Sequence, residues 1–138
     1  MDRVRAALLF LTEVLTIFLA MEVATLPLRP LIQSAMQNAL YAVLPHNFRI
    51  DWACTGVDEV LLLSAAIIAA TDGWRKRAKR IIVGALLVEL YNIIRIAVLS
   101  LYPSEVLHEI LFRWGGLIVI LAVFYLLTCK EYKQLSDN

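Results

Sequence analysis

Three residues of this chain carry chemistry-bearing groups that could work together: the thiol of Cys54, the fixed cation of Arg95 and the imidazole of His108. A thiol beside a cation and a base can attack a carbonyl carbon and form a covalent intermediate. Around them stand Glu22, Asp58, Glu59 and Asn92, with Glu13 and Glu89 as further polar residues in apolar surroundings. A charge inside a membrane span costs ~2.5–3.5 kcal/mol on insertion scales, so such residues mark a functional site or a paired interior.

The background makes them conspicuous. Of 138 residues, 61% are hydrophobic and 18% charged, and the mean hydropathy is +0.74. A soluble domain runs at about 45–50% apolar and about 25% charged. A formal net charge of +1 leaves no electrostatic footprint for nucleic acid. Two cysteines cannot build a disulfide scaffold. No HExxH, CxxC or glycine-rich phosphate loop is present, so neither a metal nor a nucleotide cofactor is expected. The class implied is an all-α, multi-pass transmembrane helix bundle forming one domain over residues 1–138.

Four spans are expected, at about 6–26, 54–71, 81–101 and 104–129. The first ends at Pro27 and Pro30, and the second lies between Gly56 and Asp72-Gly73. The second is short in purely apolar terms and needs its polar start, Cys54 to Glu59, to reach across. Arg3 and Arg5 ahead of an apolar run resemble a signal peptide, but the run is too long and contains Glu13, so it reads as a retained helix. Residues 28–44 alternate at helical spacing, with Gln33, Ser34, Gln37 and Asn38 opposite an apolar stripe. That pattern is an amphipathic helix lying in the membrane interface.

Short-loop charges set the orientation. Arg75, Lys76, Arg77, Lys79 and Arg80 join spans two and three, while Arg3, Arg5, Lys130 and Lys133 flank the termini. Only Arg29, Arg49 and Arg113 fall on the other side. Both termini are therefore expected in the cytoplasm of a plasma-membrane protein, with Trp74 and Trp114 near the two interfaces.

Depth then sorts the polar residues. Arg95 lies ~9 Å inside the outer end of its span and Glu22 ~6 Å inside its own. Cys54, Asp58 and Glu59 open span two, and His108 is one turn into span four. One outer layer thus collects polar groups from four helices. Glu13 and Glu89 form a deeper pair, expected to be structural, which cannot comfortably both ionise. Asn92 and Arg95 share a face of span three, whereas Glu89 is rotated ~120° from Arg95. The partner of Arg95 must come from another helix, and Glu22 or Asp58 is at the right depth.

Cys54 sits in Asp51-Trp52-Ala53-Cys54-Thr55-Gly56-Val57-Asp58. Thr55-x-x-Asp58 reads as a capping box, and Asp51 is an alternative cap one turn earlier. Either places the thiol at the positive end of a helix dipole, which favours thiolate, while the nearby carboxylates oppose it. Cys129 lies ~30 Å from His108 along the last helix and reads as an apolar filler.

Ala53-Cys54-Thr55-Gly56, then Tyr91-Asn92-Ile93-Ile94-Arg95-Ile96, then His108 opening the last span, together resemble the exosortase/archaeosortase family. The resemblance covers roughly residues 52–127, in a chain shorter than familiar members, with Thr55 where Ser is common. It implies a membrane cysteine transpeptidase with Cys54 as nucleophile, and Arg95 and His108 completing the catalytic set. Asn92, Asp58 and Glu22 would support them. The implied substrate is a membrane protein with a C-terminal sorting signal, cleaved at the outer face through a thioester. The acceptor would be a lipid amine, another amine or water, and a partner subunit or homo-oligomer stays open. Two rivals without catalysis are an assembly subunit whose polar layer pins helix packing and a small transporter lined by Arg95, Glu22 and Asp58.

Overall fold

The computed structural model describes residues 3–43 and 51–136. All regular structure among them is helical. Helix α1 spans Arg3–Thr25, and a 3₁₀ turn at Leu26–Leu28 leads into α2, Arg29–Tyr41. Pro27 and Pro30 occupy first-turn positions, where a missing N–H costs least. The expected amphipathic helix is thus α2. The end expected at residue 44 and most of the loop before Ala53 lie outside the described residues.

A 3₁₀ turn at Trp52–Thr55 precedes α3, Val57–Ala70, and α4 runs Trp74–Leu101. The last helical run is α5, Glu105–Glu109, then a π-helical segment Ile110–Gly115, then α6, Gly116–Ser136. Among the described residues three stretches are long and apolar enough to cross a membrane: Arg3–Tyr41, Trp74–Leu101 and Glu105–Cys129. The remaining helix, α3, has 14 residues, or ~21 Å at 1.5 Å per residue, short of a hydrocarbon core of ~30 Å.

What α3 lacks in length it has in burial. It packs against α1, α4 and α6, burying Leu61, Leu63, Ser64, Ala65 and Ile67. Leu63 and Ile67 join Val88, Ile120 and Val123 in the main core. Gly84 on α4 lets the helices close, because a Cβ there would stand 2.8 Å from Leu63 Cδ2 and 3.3 Å from Leu127 Cδ1. Small residues at contacts are how apolar helices associate when lipid removes the hydrophobic drive between them. By contrast, α1 buries only Val14 and presents Leu8, Leu11, Leu15 and Leu19 outward. A water-soluble monomer does not expose apolar surface on this scale.

The basic run does more than was expected of a topology anchor. Arg77 Nε donates to the Thr71 carbonyl at 2.5 Å and Arg80 Nη1 to Thr71 Oγ1 at 2.8 Å. Thr71 is 1% exposed, so these arginines close the α3–α4 turn by satisfying carbonyl and hydroxyl groups at a helix C-terminus. Trp74 and Trp114 are both exposed, as aromatic interface residues would be.

Candidate active site

Arg95 is the hub of the polar layer. Its residue is 2% exposed, and its Nη1 lies 3.3 Å from Glu59 Oε1. Its Nη2 donates to Asn92 Oδ1, one helical turn back. The guanidinium also lies 4.3 Å from the ring centre of Phe112 and 5.9 Å from that of Tyr91. Two anionic or polar acceptors and two π faces replace the water that burial removes.

Glu59 is a correction to the expected partner. Glu22 pairs instead with Arg29, and Asp58 Oδ1 accepts the Trp52 indole N–H at 2.7 Å. Asp58 and Glu59 point about 100° apart on a helix, and only the latter faces α4. Glu89 is likewise not paired with Glu13, which is exposed on α1. Glu89 Oε2 accepts from Asn92 Nδ2 at 3.5 Å, so Asn92 stands between Glu89 and Arg95, in keeping with the angular separation of those two on α4.

Glycines make the convergence possible. Gly56 has φ +75°, and a Cβ there would lie 2.8 Å from Asn92 Nδ2 and 3.0 Å from Glu89 Oε1. Gly116 admits the Glu59 carboxylate at 3.6 Å and Arg95 Nη1 at 4.0 Å from where its Cβ would be. The site is therefore built by α3, α4 and the start of α6 together.

Cys54 lies on the turn that feeds α3. Asp51, not a Thr55–Asp58 box, caps that turn: the Cys54 amide donates to Asp51 Oδ1 at 2.9 Å. Thr55 Oγ1 donates to the Trp52 carbonyl at 2.7 Å, and Gly56 in its left-handed conformation starts α3. The half-buried Cys54 packs, as Met36 does, against the pair Leu40 and Ile96, so α2 covers the cysteine turn.

Burial pushes the Cys54 thiol up to about 11 from an ordinary 9.0, and the hydrogen bond and charge of Asp51 push the same way. A backbone hydrogen bond from Asp51 to the sulfur and the positive charge of Arg95 pull it down by less. The dipole advantage expected for thiolate is outweighed, and the resting group at neutral pH is the thiol.

His108 is exposed and stacks on Phe112, ring centres 5.2 Å apart and planes at 13°. Phe112 thus touches both His108 and Arg95. Among the described residues no hydrogen bond joins His108 to Cys54. His108 instead lines an open groove of about 730 Å³ with Leu99, Pro103, Ser104, Glu105 and Phe112. Arg113 and Glu109 at its rim form an exposed pair at 2.9 Å.

The structure therefore brings Arg95 and Asn92 together, holds Cys54 within the electrostatic reach of Arg95, and connects His108 to the hub through one ring. Glu22 and Asp58 belong to a neighbouring cluster, linked because Arg29 lies 4.7 Å from the Trp52 ring centre. Sequence reasoning quoted Tyr91 within its motif without giving it a role and missed Phe112. Both carry a spacing signal, since Tyr91 is one turn before Arg95 and Phe112 one turn after His108.

No family model, curated protein or solved structure matches this chain.

Proposed function

We propose that this chain is a membrane-embedded cysteine peptidase or transpeptidase of the exosortase/archaeosortase kind. The observation that carries the reading is a half-buried thiol on a capped turn, in the field of a fully buried arginine. An arginine so placed is a preorganised positive charge, the type of group that stabilises an oxyanion as it develops.

In this reading a membrane-anchored substrate brings a peptide carbonyl to Cys54 at the extracytoplasmic face, both termini of the chain being cytoplasmic. The thiol proton passes to His108, and the sulfur attacks the carbonyl carbon. Arg95 stabilises the oxyanion, held in place by Glu59 and Asn92. Collapse breaks the C–N bond, the leaving amine takes the proton from His108, and a thioester remains. An amine acceptor, or water, then releases Cys54. The raised thiol makes proton removal the demanding step, and it needs the contact between base and thiol that substrate in the groove would complete, as apo geometries commonly tighten on binding.

The test is co-expression with a tagged membrane protein ending in a short motif, an apolar helix and a basic tail. Processing is expected with the native chain and lost with Cys54→Ala. Unchanged processing by Cys54→Ala would overturn the nucleophile assignment.

A second reading, a non-catalytic subunit, draws on the saturation of Arg95 by Glu59, Asn92 and Phe112, which a packing hub would also show. A membrane-impermeant thiol reagent on intact cells separates the two. The enzyme reading expects labelling at Cys54 from outside and none at Cys129; silence at Cys54 favours packing.

A further inference from the structure

The catalytic reading uses Cys54, Arg95 and His108, and it leaves the π-helical segment between His108 and α6 without a role. A π turn is rare, appears mostly as one turn within an α-helix, and is often found at functional positions. Here it spans Ile110–Gly115 and carries Phe112, the ring that touches both Arg95 and His108. Widening the helix by one residue per turn changes the direction of every side chain on it relative to α6. The register of this segment therefore decides where Phe112 and His108 point.

A side chain from another helix reaches its main chain. The Tyr91 hydroxyl on α4 donates to the Leu111 carbonyl at 2.6 Å, inside the π segment. The same tyrosine lies one turn before Arg95, whose guanidinium is 5.9 Å from its ring centre. The fit is close on the opposite side too: a Cβ on Gly115 would stand 2.0 Å from the Tyr91 oxygen and 3.2 Å from its Cζ. The hydroxyl thus occupies a notch that only glycine leaves open, and it reaches main-chain oxygen there.

We propose that Tyr91 is a positioning residue that locks the π-helical register of Ile110–Gly115 through the Leu111 carbonyl and thereby sets His108 and Phe112 against Arg95. The proposal rests on the peptidase reading for the consequence in catalysis, but the lock itself does not depend on it. Removing the hydroxyl frees the carbonyl and lets the segment take the commoner α register, which turns Phe112 and His108 away from the hub. Adding a methyl group at Gly115 expels the hydroxyl and has the same consequence by a different route.

Two readouts test this. The first is NMR of arginine-labelled protein in detergent micelles, with Arg95→Lys used only to assign the signal. The Arg95 guanidinium lies 4.3 Å from the Phe112 ring centre, in the shielding zone of that ring. Tyr91→Phe, which keeps the ring at position 91, is expected to move those protons toward unshielded positions, with the helical content of the protein unchanged. The second is a double-mutant cycle on substrate processing. Gly115→Ala alone is expected to lower kcat on the order of tenfold or more, with KM little changed, as misplacement of a catalytic group does. In the Tyr91→Phe background the same change should cost much less, because the oxygen it strikes is gone.

Arg95 signals that stay in place in Tyr91→Phe, or additive effects of the two substitutions, would overturn the proposal. Processing by a Cys54-dependent route with unmoved signals removes this lock and leaves the peptidase reading. Moved signals in a protein that processes nothing support the lock and remove its catalytic consequence.

Discussion

Arg95 and Arg29 each pair with a glutamate and stack on an aromatic ring, in very different surroundings. The side chains of Arg95 and Glu59 are 2% and 17% exposed, and those of Arg29 and Glu22 are 30% and 19% exposed. Arg95 draws its partners from three separate segments, α3, α4 and the π turn, through clearances made by Gly56 and Gly116. Arg29 finds Glu22 seven residues back along the same helical run and adds only Trp52 from elsewhere. The Arg29 pair also leaves Arg29 Nε and Glu22 Oε2 buried without a hydrogen-bond partner. An arginine near a helix end can snorkel toward water when it loses its partner; one enclosed by three helices cannot. The same pair of residue types is a structural hub in one place and a tether in the other.

Breaking the hub should have the largest effect. Glu59→Ala leaves Arg95 buried without its anion, a loss expected to cost about 3–5 kcal/mol, read as a lower midpoint for unfolding in detergent. Replacing both partners, Glu59→Met with Arg95→Met, should recover most of that stability, because it is the unpaired charge and not the missing pair that destabilises. If the double variant folds but no longer processes substrate, the charge serves chemistry. If it folds and still processes, Arg95 serves packing only.

Gly56 comes next. Gly56→Ala forces a side chain into a left-handed conformation, a cost of about 1–2 kcal/mol, and drives a methyl group to within 2.8 Å of Asn92 Nδ2. Both effects fall on the hub, so Gly56→Ala should destabilise more than Arg29→Ala. The latter removes a partly exposed pair and should cost about 1 kcal/mol or less. Equal losses at the two positions would erase the distinction between hub and tether. The measurement is again unfolding in detergent, made side by side.

These contrasts also mark what the sequence could reveal. The excess of apolar residues and the helical periodicity are local properties, and they announced an all-helical protein with long apolar helices. Glycine and proline punctuation placed most helix ends within a few residues. Depth along each helix put Arg95, Glu59 and Cys54 in one layer with Glu22, Asp58 and His108, the i,i+3 spacing joined Asn92 to Arg95, and the angular argument kept Glu89 from touching Arg95 directly. The rotation of one helix against another was not legible. That is why Glu22 or Asp58 was expected beside Arg95 where Glu59 stands, and why Glu13 was matched by depth with a Glu89 that faces another way. The register shift at Ile110–Gly115 has no periodicity signal of its own, because its cause includes a hydroxyl twenty residues away on another helix.

The smallest effect is also the one that says which arginine the cysteine feels. Cys54 shares its turn with Trp52, which belongs to the Arg29 tether, yet the positive charge that acts on its thiol is that of Arg95, against the negative charge of Asp51. Burial and Asp51 outweigh that cation, so reaction of Cys54 with a thiol reagent should rise with pH to a midpoint at about 11 rather than at the ordinary 9.0. Since the folded value is the raised one, the protonated thiol contributes to stability below about pH 9, and that contribution is lost as pH climbs toward 11. Arg95→Met in the Glu59→Met background removes the cation and should move the labelling midpoint up. Asp51→Asn keeps an oxygen to cap the Cys54 amide while deleting the negative charge, and should move it down. Arg29→Ala should leave it where it is. A midpoint that follows Arg29 instead would assign the thiol to the tether and remove Arg95 from any role at the sulfur.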